Sequence, residues 1–193
     1  MHPLRQNIER VVNLTDEEFA LVEAAFIKKK LRKGQYILLE GNQCDSDYFV
    51  ISGSLMQYYH DWKGKMHVVQ FAFADWWISD WDSILRKSPS VYNISALEPS
   101  VIIEVKYEKL QALFGQVPKL ETYFRVSFQK SFAAQQRRIG WLQRTDQERY
   151  EEFIGAYPNF EQTLSQSNIA SFLGMTRESL SRLKNRKLRL EKK

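Results

Sequence analysis

Four polar side chains near the end of the chain have the types and spacing needed to read base pairs. Arg177, Glu178, Ser181 and Arg182 lie in the segment TRESLSR. On a helix, these four share the face opposite Leu180. An arginine can donate two hydrogen bonds to O6 and N7 of guanine, and a glutamate can accept one from N4 of cytosine. We therefore predict a base-reading face here, with the small serine near the floor of the groove.

Further polar and basic side chains flank this face and suit the DNA backbone. Five of them are candidates for phosphate contacts, namely the hydroxyls of Ser167 and Thr176 and the cations of Lys184, Arg186 and Lys187. Residues 174–193 hold eight basic and two acidic side chains, which gives +6, although the whole chain carries only +5. This asymmetry indicates a polyanionic partner, although charge alone also fits a solvated basic tail.

Two short helices joined by a tight turn would present these side chains. Ala170 is small enough for a second helix to cross the first, and Gly174 can take the left-handed conformation of a turn. Ser165 and Thr176 are suited to cap the two helices. Buried contacts are predicted for Ile169, Leu173, Met175, Leu180 and Leu183. The segment 166–185 therefore predicts a helix-turn-helix, with a plain helical hairpin as the alternative.

A long helix is predicted upstream of this segment. Between residues 117 and 142, apolar side chains recur at helical spacing at Leu120, Phe124, Phe128, Phe132, Ile139 and Leu142. Such a helix needs a surface to pack against, either a second copy in a symmetric dimer or the rest of its own chain. A shorter helix follows and ends before Pro158.

The first half of the chain has the pattern of helices followed by short strands. Residues 1–33 are predicted to be helical, with Thr15 and Glu18 as a capping box. Three segments rich in β-branched and aromatic residues come next, and YNISALEPSVIIEV adds two strands separated at Pro99. Short strands with regular turn signals favour a sandwich or a barrel.

Composition and motifs argue against several classes of protein. Because Cys44 is the only cysteine, no disulfide can form within the chain, and a reducing cytoplasm is the expected location. No run of 18 apolar residues occurs, so no membrane span is predicted. The sequence has no glycine-rich phosphate loop, and His60 and His67 lack further ligands at metal-binding spacing. We expect neither an enzyme nor a metal site.

The layout as a whole resembles the Crp/Fnr family of bacterial transcription regulators. TRESLSR resembles the recognition-helix signature of the family, and GQYILLEGNQCDSDYFVISGSLMQYY resembles its opening strands. The resemblance implies an α+β fold with an N-terminal β jelly roll like the cyclic-nucleotide-binding domain in residues 1–115. It also implies a dimerisation helix in 116–144 and a helix-turn-helix domain in 145–193. The implied partners are double-stranded DNA, a second copy of the chain as a homodimer, and RNA polymerase.

The effector site departs from the pattern of the family. Cyclic-nucleotide binders of the family carry a Gly-Glu pair and, further along, an arginine that pairs with the phosphate. Here Ser79 and Asp80 take the place of the pair, and Ser90 takes that of the arginine. A serine cannot supply the charge that a buried phosphate needs, so we expect no cofactor and no tight binding of cyclic AMP. The candidate effector pocket comprises Ser79, Asp80, Ser83, Ser90, Val91 and Tyr92.

Two further departures from the family concern the cysteine ligands of an iron–sulfur cluster and the segment after the recognition helix. Oxygen sensors of the family hold an iron–sulfur cluster on several cysteines, which the single Cys44 rules out within one chain. Members often follow the recognition helix with a β-hairpin wing, and the sequence RKLRLEKK does not fit one. The altered effector site and the missing wing favour an alternative, a ligand-binding or protein-interaction module with a vestigial DNA-binding unit. The intact TRESLSR segment favours the DNA-binding regulator.

Overall fold

The computed structural model describes residues 2–158 and 163–190, with side chains as far as residue 186. The chain divides into two units, residues 1–59 with 69–129, and residues 60–68 with 130–193. The long helix and two β-strands therefore contribute to both units. The three-part division predicted from the sequence stays a prediction.

The first unit begins with two helices and continues into strands. Helix α1 spans Pro3–Glu9 and α2 spans Asp16–Ala25. The strands are β1 (Ile27–Leu31), β2 (Tyr36–Leu38), β3 (Ser46–Ser52), β4 (Ser54–His60), β5 (Met66–Phe73), β6 (Trp77–Ile78), β7 (Asn93–Ala96) and β8 (Ser100–Lys106). Helix α3 (Trp81–Arg86) lies between β6 and β7, and α4 (Tyr107–Gln116) and α5 (Lys119–Leu142) follow β8.

The strands form two four-stranded sheets, in the orders β1-β8-β3-β6 and β2-β7-β4-β5. Side chains along a strand alternate between the two faces of its sheet. Side chains from both sheets pack together in one apolar core. This core includes the buried side chains of Leu38, Tyr48, Leu55, Ile94 and Ile102. The α+β fold with an N-terminal β jelly roll, predicted from the resemblance, is confirmed.

A second core joins the first sheet to the helices. Phe49 on β3 and Phe124 on α5 are both buried in it. The Trp77 ring packs between them, with its centroid 5.2 Å from that of Phe49 and 5.1 Å from that of Phe124. This packing anchors the first half of α5 on the sheet and leaves the rest of the helix to the second unit.

The helical prediction for residues 1–33 is wrong at its end. The capping box is present, since the Thr15 hydroxyl accepts from the Glu18 amide and the Glu18 carboxylate accepts from the Thr15 amide. Helix α2 nevertheless ends at Ala25, and residues 27–31 form strand β1, paired with β8 from Ile27↔Glu104 to Leu31↔Ser100. Pairing with a strand 69 to 77 positions away outweighs a local pattern that continues the helix.

Asp47 on β3 is a carboxylic acid inside the apolar interior. Its side chain is 2% exposed; Oδ1 accepts from the Tyr48 amide, and Oδ2 has no partner among the described residues. Burial raises the pKa of Asp47 well above its usual value of 3.8, and the hydrogen bond from Tyr48 opposes this only in part. The folded protein therefore holds the proton of Asp47 more tightly than the unfolded chain does.

We expect Asp47→Asn to raise the melting temperature at neutral pH and to leave it nearly unchanged in acid. The pKa of Asp47 is higher in the folded protein than in the unfolded chain. The contribution of Asp47 to the free energy of unfolding is therefore fully present at pH values below the unfolded-state pKa. It is lost as the pH rises through the folded-state pKa. Between these two pKa values, the free energy of unfolding of the wild type falls by about 1.4 kcal/mol per pH unit relative to that of the variant. Thermal unfolding of both proteins from pH 4 to 8 tests this. A constant difference across that range would contradict it.

The second unit contains the remaining helices. It combines the hairpin tip 60–68, the later part of α5, and helices α6 (Asp146–Ala156), α7 (Gln166–Phe172) and α8 (Arg177–Leu190). Helix α6 begins with a capping box formed by Thr145 and Glu148 and buries Tyr150 and Phe153. The sequence NFEQTL, residues 159–164, is expected to link α6 to α7, and residues 159–162 of it lie outside the described part of the chain.

Candidate DNA-reading face and effector site

Helices α7 and α8 form the predicted helix-turn-helix. The Ser165 hydroxyl accepts from the Asn168 amide at 3.1 Å, and the Thr176 hydroxyl accepts from the Ser179 amide at 3.1 Å. Both hydroxyls thus satisfy amides that the first turn of a helix leaves free. Gly174, in the turn, has φ +65°, the left-handed conformation that β-carbons disfavour.

Apolar contacts fix the two helices against each other. The predicted residues Ile169, Leu173, Met175 and Leu180 are buried, and Leu183 is half-buried. Ala170 is 2% exposed, as its role at the helix crossing requires. A β-carbon on Gly174 would lie 3.2 Å from Leu142 Cδ2, so α5 also supports the turn.

The polar side chains predicted to read bases line one open groove on this pair of helices. The groove, of about 460 Å³, is formed by Arg177, Glu178, Ser181, Arg182 and Gln166. Arg177, Glu178 and Arg182 are exposed, and Ser181 is half-buried. Gln166 was not among the residues predicted for this face. Its position directly after the Ser165 cap places it in the first turn of α7, beside the start of α8.

The candidate phosphate contacts are more dispersed. Ser167 is exposed in the first turn of α7, and Thr176 is exposed while it caps α8. Lys184 is half-buried, whereas Arg186 is exposed and donates to Gln147 Oε1 at 3.4 Å. Lys187 lies in the helical span of α8, but its side chain lies outside the described residues. Its predicted role, like that of the others, stays a prediction.

Helix α6 supports the turn of the helix-turn-helix from behind. The Arg149 side chain is 12% exposed and forms an ion pair with Asp146. It also lies 3.4 Å from the carbonyl oxygen of Gly174. A guanidinium held this way stiffens the turn, because it satisfies a carbonyl that the helices leave free.

Four of the predicted effector-pocket residues meet in the first unit. Ser79, Asp80, Ser83 and Ser90 are each at most 8% exposed. Asp80 Oδ1 accepts from the amides of Asp82 and Ser83, which caps helix α3. Asp80 Oδ2 accepts from the Ser90 hydroxyl at 2.6 Å. Both carboxylate oxygens thus already have partners within the chain.

The other two predicted pocket residues lie differently. Val91 is 61% exposed, and its place in the effector pocket stays a prediction. It follows the buried Ser90 by one position and lies before the start of β7 at Asn93. Tyr92 is half-buried and contributes its backbone, since its amide donates to the Ser90 hydroxyl at 3.0 Å.

An apolar row on helix α5 is exposed in the single chain. Its members Phe128, Phe132, Ile139 and Leu142 are 41%, 65%, 61% and 36% exposed. These positions follow a heptad repeat, with Gln135 at the remaining core position. An exposed apolar row of this kind is a candidate surface for packing against another helix.

Metal-binding and membrane-spanning features are not found in the described parts of the chain. Within them, no three histidine, cysteine, aspartate or glutamate side chains come together in a way that could hold a metal ion. Of the described helices, none has the length and apolar character needed to cross a bilayer. His67, one of the two histidines beside the hairpin turn, pairs instead with Asp61 at 2.9 Å.

Comparisons with known proteins agree with this architecture. The cyclic nucleotide-binding domain family matches residues 28–116. The fumarate and nitrate reduction regulatory protein of Vibrio cholerae is 28% identical over 171 residues, which cover 82% of this chain and 68% of that protein. The electron transport regulator A of Shewanella oneidensis matches with the same identity and coverage.

Solved structures give the same fold. A CooA variant from Carboxydothermus hydrogenoformans superposes with a TM-score of 0.73 at 17% identity, over 94% of this chain and 87% of that one. The regulator CLP of Xanthomonas campestris gives a TM-score of 0.72 at 16% identity, over 92% and 93% of the two chains. The two relatives above, which match this chain by sequence, are both regulators rather than enzymes. The chain is therefore similar to DNA-binding transcription regulators of the Crp/Fnr type, in sequence and in fold.

Proposed function

We propose that the protein acts as a homodimer that reads a palindromic operator. The observation that carries this proposal is the open groove of Arg177, Glu178, Ser181, Arg182 and Gln166 on a capped helix-turn-helix. Two recognition helices related by a two-fold axis and about 34 Å apart enter successive major grooves on one side of the duplex. RNA polymerase is the further partner that regulation at a promoter requires.

The dimer forms through α5 in this proposal. The exposed row of Phe128, Phe132, Ile139 and Leu142 supplies an apolar seam, and a symmetric pair buries the same seam on both copies. Gln135 at the heptad position between Phe132 and Ile139 suits a hydrogen bond to its counterpart, since a polar core residue fixes register at some cost in stability.

The operator can be isolated by selection from random DNA and tested by gel shift at stated salt concentrations. We expect a palindromic site bound at least a thousandfold, in order of magnitude, more tightly than unrelated DNA. The alternative, an interaction module with a vestigial DNA-binding unit, predicts no enrichment over the non-specific background. Salt must be fixed, because backbone binding alone varies steeply with it.

We also propose that the first unit does not use cyclic AMP as its effector. Asp80 is occupied by its own helix amides and by Ser90, and no arginine stands at position 90 to pair with a phosphate. Binding a cyclic phosphate would break this network and bury an unpaired negative charge, which costs several kcal/mol.

Isothermal titration calorimetry with cyclic AMP is expected to give no measurable binding at micromolar concentrations. A relative known to bind cyclic AMP, run under the same conditions, serves as the positive control. Affinity in the micromolar range or tighter would overturn the proposal. Mass spectrometry of small molecules that copurify with the native protein would then identify any other effector.

A further inference from the structure

Three elements of the second unit meet at one polar contact, which we call the clasp. It consists of Arg138 on α5, Ser171 and Phe172 at the end of α7, and the backbone of Met66 and Val68 at the start of β5. All of these residues belong to the same unit. None of them is among the residues of the base-reading groove.

Ser171 acts in the clasp as both donor and acceptor. Its hydroxyl donates to the Met66 carbonyl at 2.9 Å and accepts from the Val68 amide at 2.9 Å. Strand β5 is at the edge of its sheet, so these backbone groups have no neighbouring strand. One side chain of α7 therefore takes the place of a paired strand.

Arg138 joins the same strand to the end of α7. Its Nη2 donates to the Val68 carbonyl at 3.0 Å and to the Phe172 carbonyl at 3.1 Å. Its guanidinium lies 4.5 Å from the centroid of the Phe172 ring. The Phe172 carbonyl is one of those that a helix end leaves without an intrahelical partner, and a planar cation stacked on the ring is held in one orientation.

We propose that Arg138 and Ser171 are positioning residues that set where the recognition helix lies relative to the dimerisation helix. Arg138 precedes Ile139 of the apolar row, so it lies on the helix that carries the proposed dimer seam. Ser171 lies on α7, which moves with α8 because Ile169 and Leu180 are buried between them. In a dimer, the clasp on each copy therefore sets the separation of the two recognition helices. This inference rests on the proposed function.

The test compares two substitutions with matched controls. Ser171→Ala removes both hydroxyl hydrogen bonds, and Ser131→Ala makes the same change at an exposed position of α5. Arg138→Gln removes the cation, and Arg137→Gln makes the same charge change at its exposed neighbour. Each protein is titrated with the selected palindrome, with versions whose half-sites are moved apart or together by single base pairs, and with an isolated half-site.

We expect the clasp variants to lose affinity for the best palindrome about tenfold, the scale of two lost hydrogen bonds. Their affinities for palindromes with different half-site spacings should become more nearly equal, while their affinity for the isolated half-site should not change. Both control variants should bind every DNA as the wild type does. A clasp variant that keeps the spacing preference of the wild type would overturn the inference. So would an equal loss on the half-site, because that result indicates damage to the reading face itself.

A second measurement is independent of DNA. Hydrogen exchange of the Val68 amide, which donates to Ser171, should quicken about tenfold in Ser171→Ala and stay unchanged in Ser131→Ala. Unchanged exchange of the Val68 amide in Ser171→Ala would contradict the proposed role of Ser171, even if the wild type binds the selected palindrome. Failure of the wild type to bind any palindrome, with Val68 exchange as expected, would instead count against the proposed function.

Discussion

Arg177→Ala and Arg182→Ala are each expected to remove about 1–3 kcal/mol of specific DNA binding, a loss of roughly 5-fold to 150-fold. Both guanidinium groups are exposed in the groove with Glu178 and Ser181, so each is free to form a bidentate contact with guanine. The loss should fall on operator DNA alone and should relax base preference at one position of each half-site. Gel-shift titrations against single-base operator variants measure both effects.

Lys187→Ala is the control for this prediction. A phosphate contact carries no sequence information, so its removal should weaken operator and unrelated DNA alike and reduce the salt dependence by about one charge. If Arg177→Ala and Arg182→Ala both bind the operator as the wild type does, the assignment of the base-reading face is wrong. If they behave like Lys187→Ala, the two arginines contact phosphates instead.

Phe132→Glu is expected to weaken dimerisation at least about a hundredfold. Phe132 is 65% exposed in the single chain, and burying a phenylalanine contributes about 1.5–3 kcal/mol. Because a two-fold interface repeats every change, the variant loses two rings and brings two glutamates together. Sedimentation velocity at several protein concentrations measures the change.

Ser131→Glu places the same charge at the neighbouring exposed position, off the apolar row, and should leave the dimer intact. Operator affinity should fall with dimerisation in Phe132→Glu and stay near the wild-type value in Ser131→Glu. A dimeric Phe132→Glu variant would show that α5 is not the seam. Loss of the dimer in both variants would show that charge anywhere on this helix is damaging.

The helix-turn-helix was predictable because its signals are local. The caps at Ser165 and Thr176 and the left-handed turn at Gly174 each depend on neighbours within a few residues. Strand β1 was not predictable in the same way. Its conformation follows from pairing with β8, and that pairing depends on tertiary structure rather than on the sequence of IKKKL.

The contacts within the effector site and the clasp could not be predicted from the sequence. The sequence indicated that Ser90 lacks the charge of an arginine, but it did not indicate that Ser90 donates to Asp80 at 2.6 Å. The clasp joins Met66 and Val68 to Ser171, which lies more than 100 positions later. Contacts between such distant segments leave no periodic signal in either one.

The continuity of helix α5 constrains how its length can change during evolution. Each residue inserted into an α-helix rotates everything beyond it by about 100° and advances it by about 1.5 Å. One residue inserted between Phe132 and Arg138 would rotate Arg138 and Ile139 by that angle relative to Phe128 and Phe132. Additions of seven or eleven residues, close to two or three full turns, bring the alignment back to within about 20°. Homologues with longer linking helices should therefore differ from this chain by such lengths rather than by single residues.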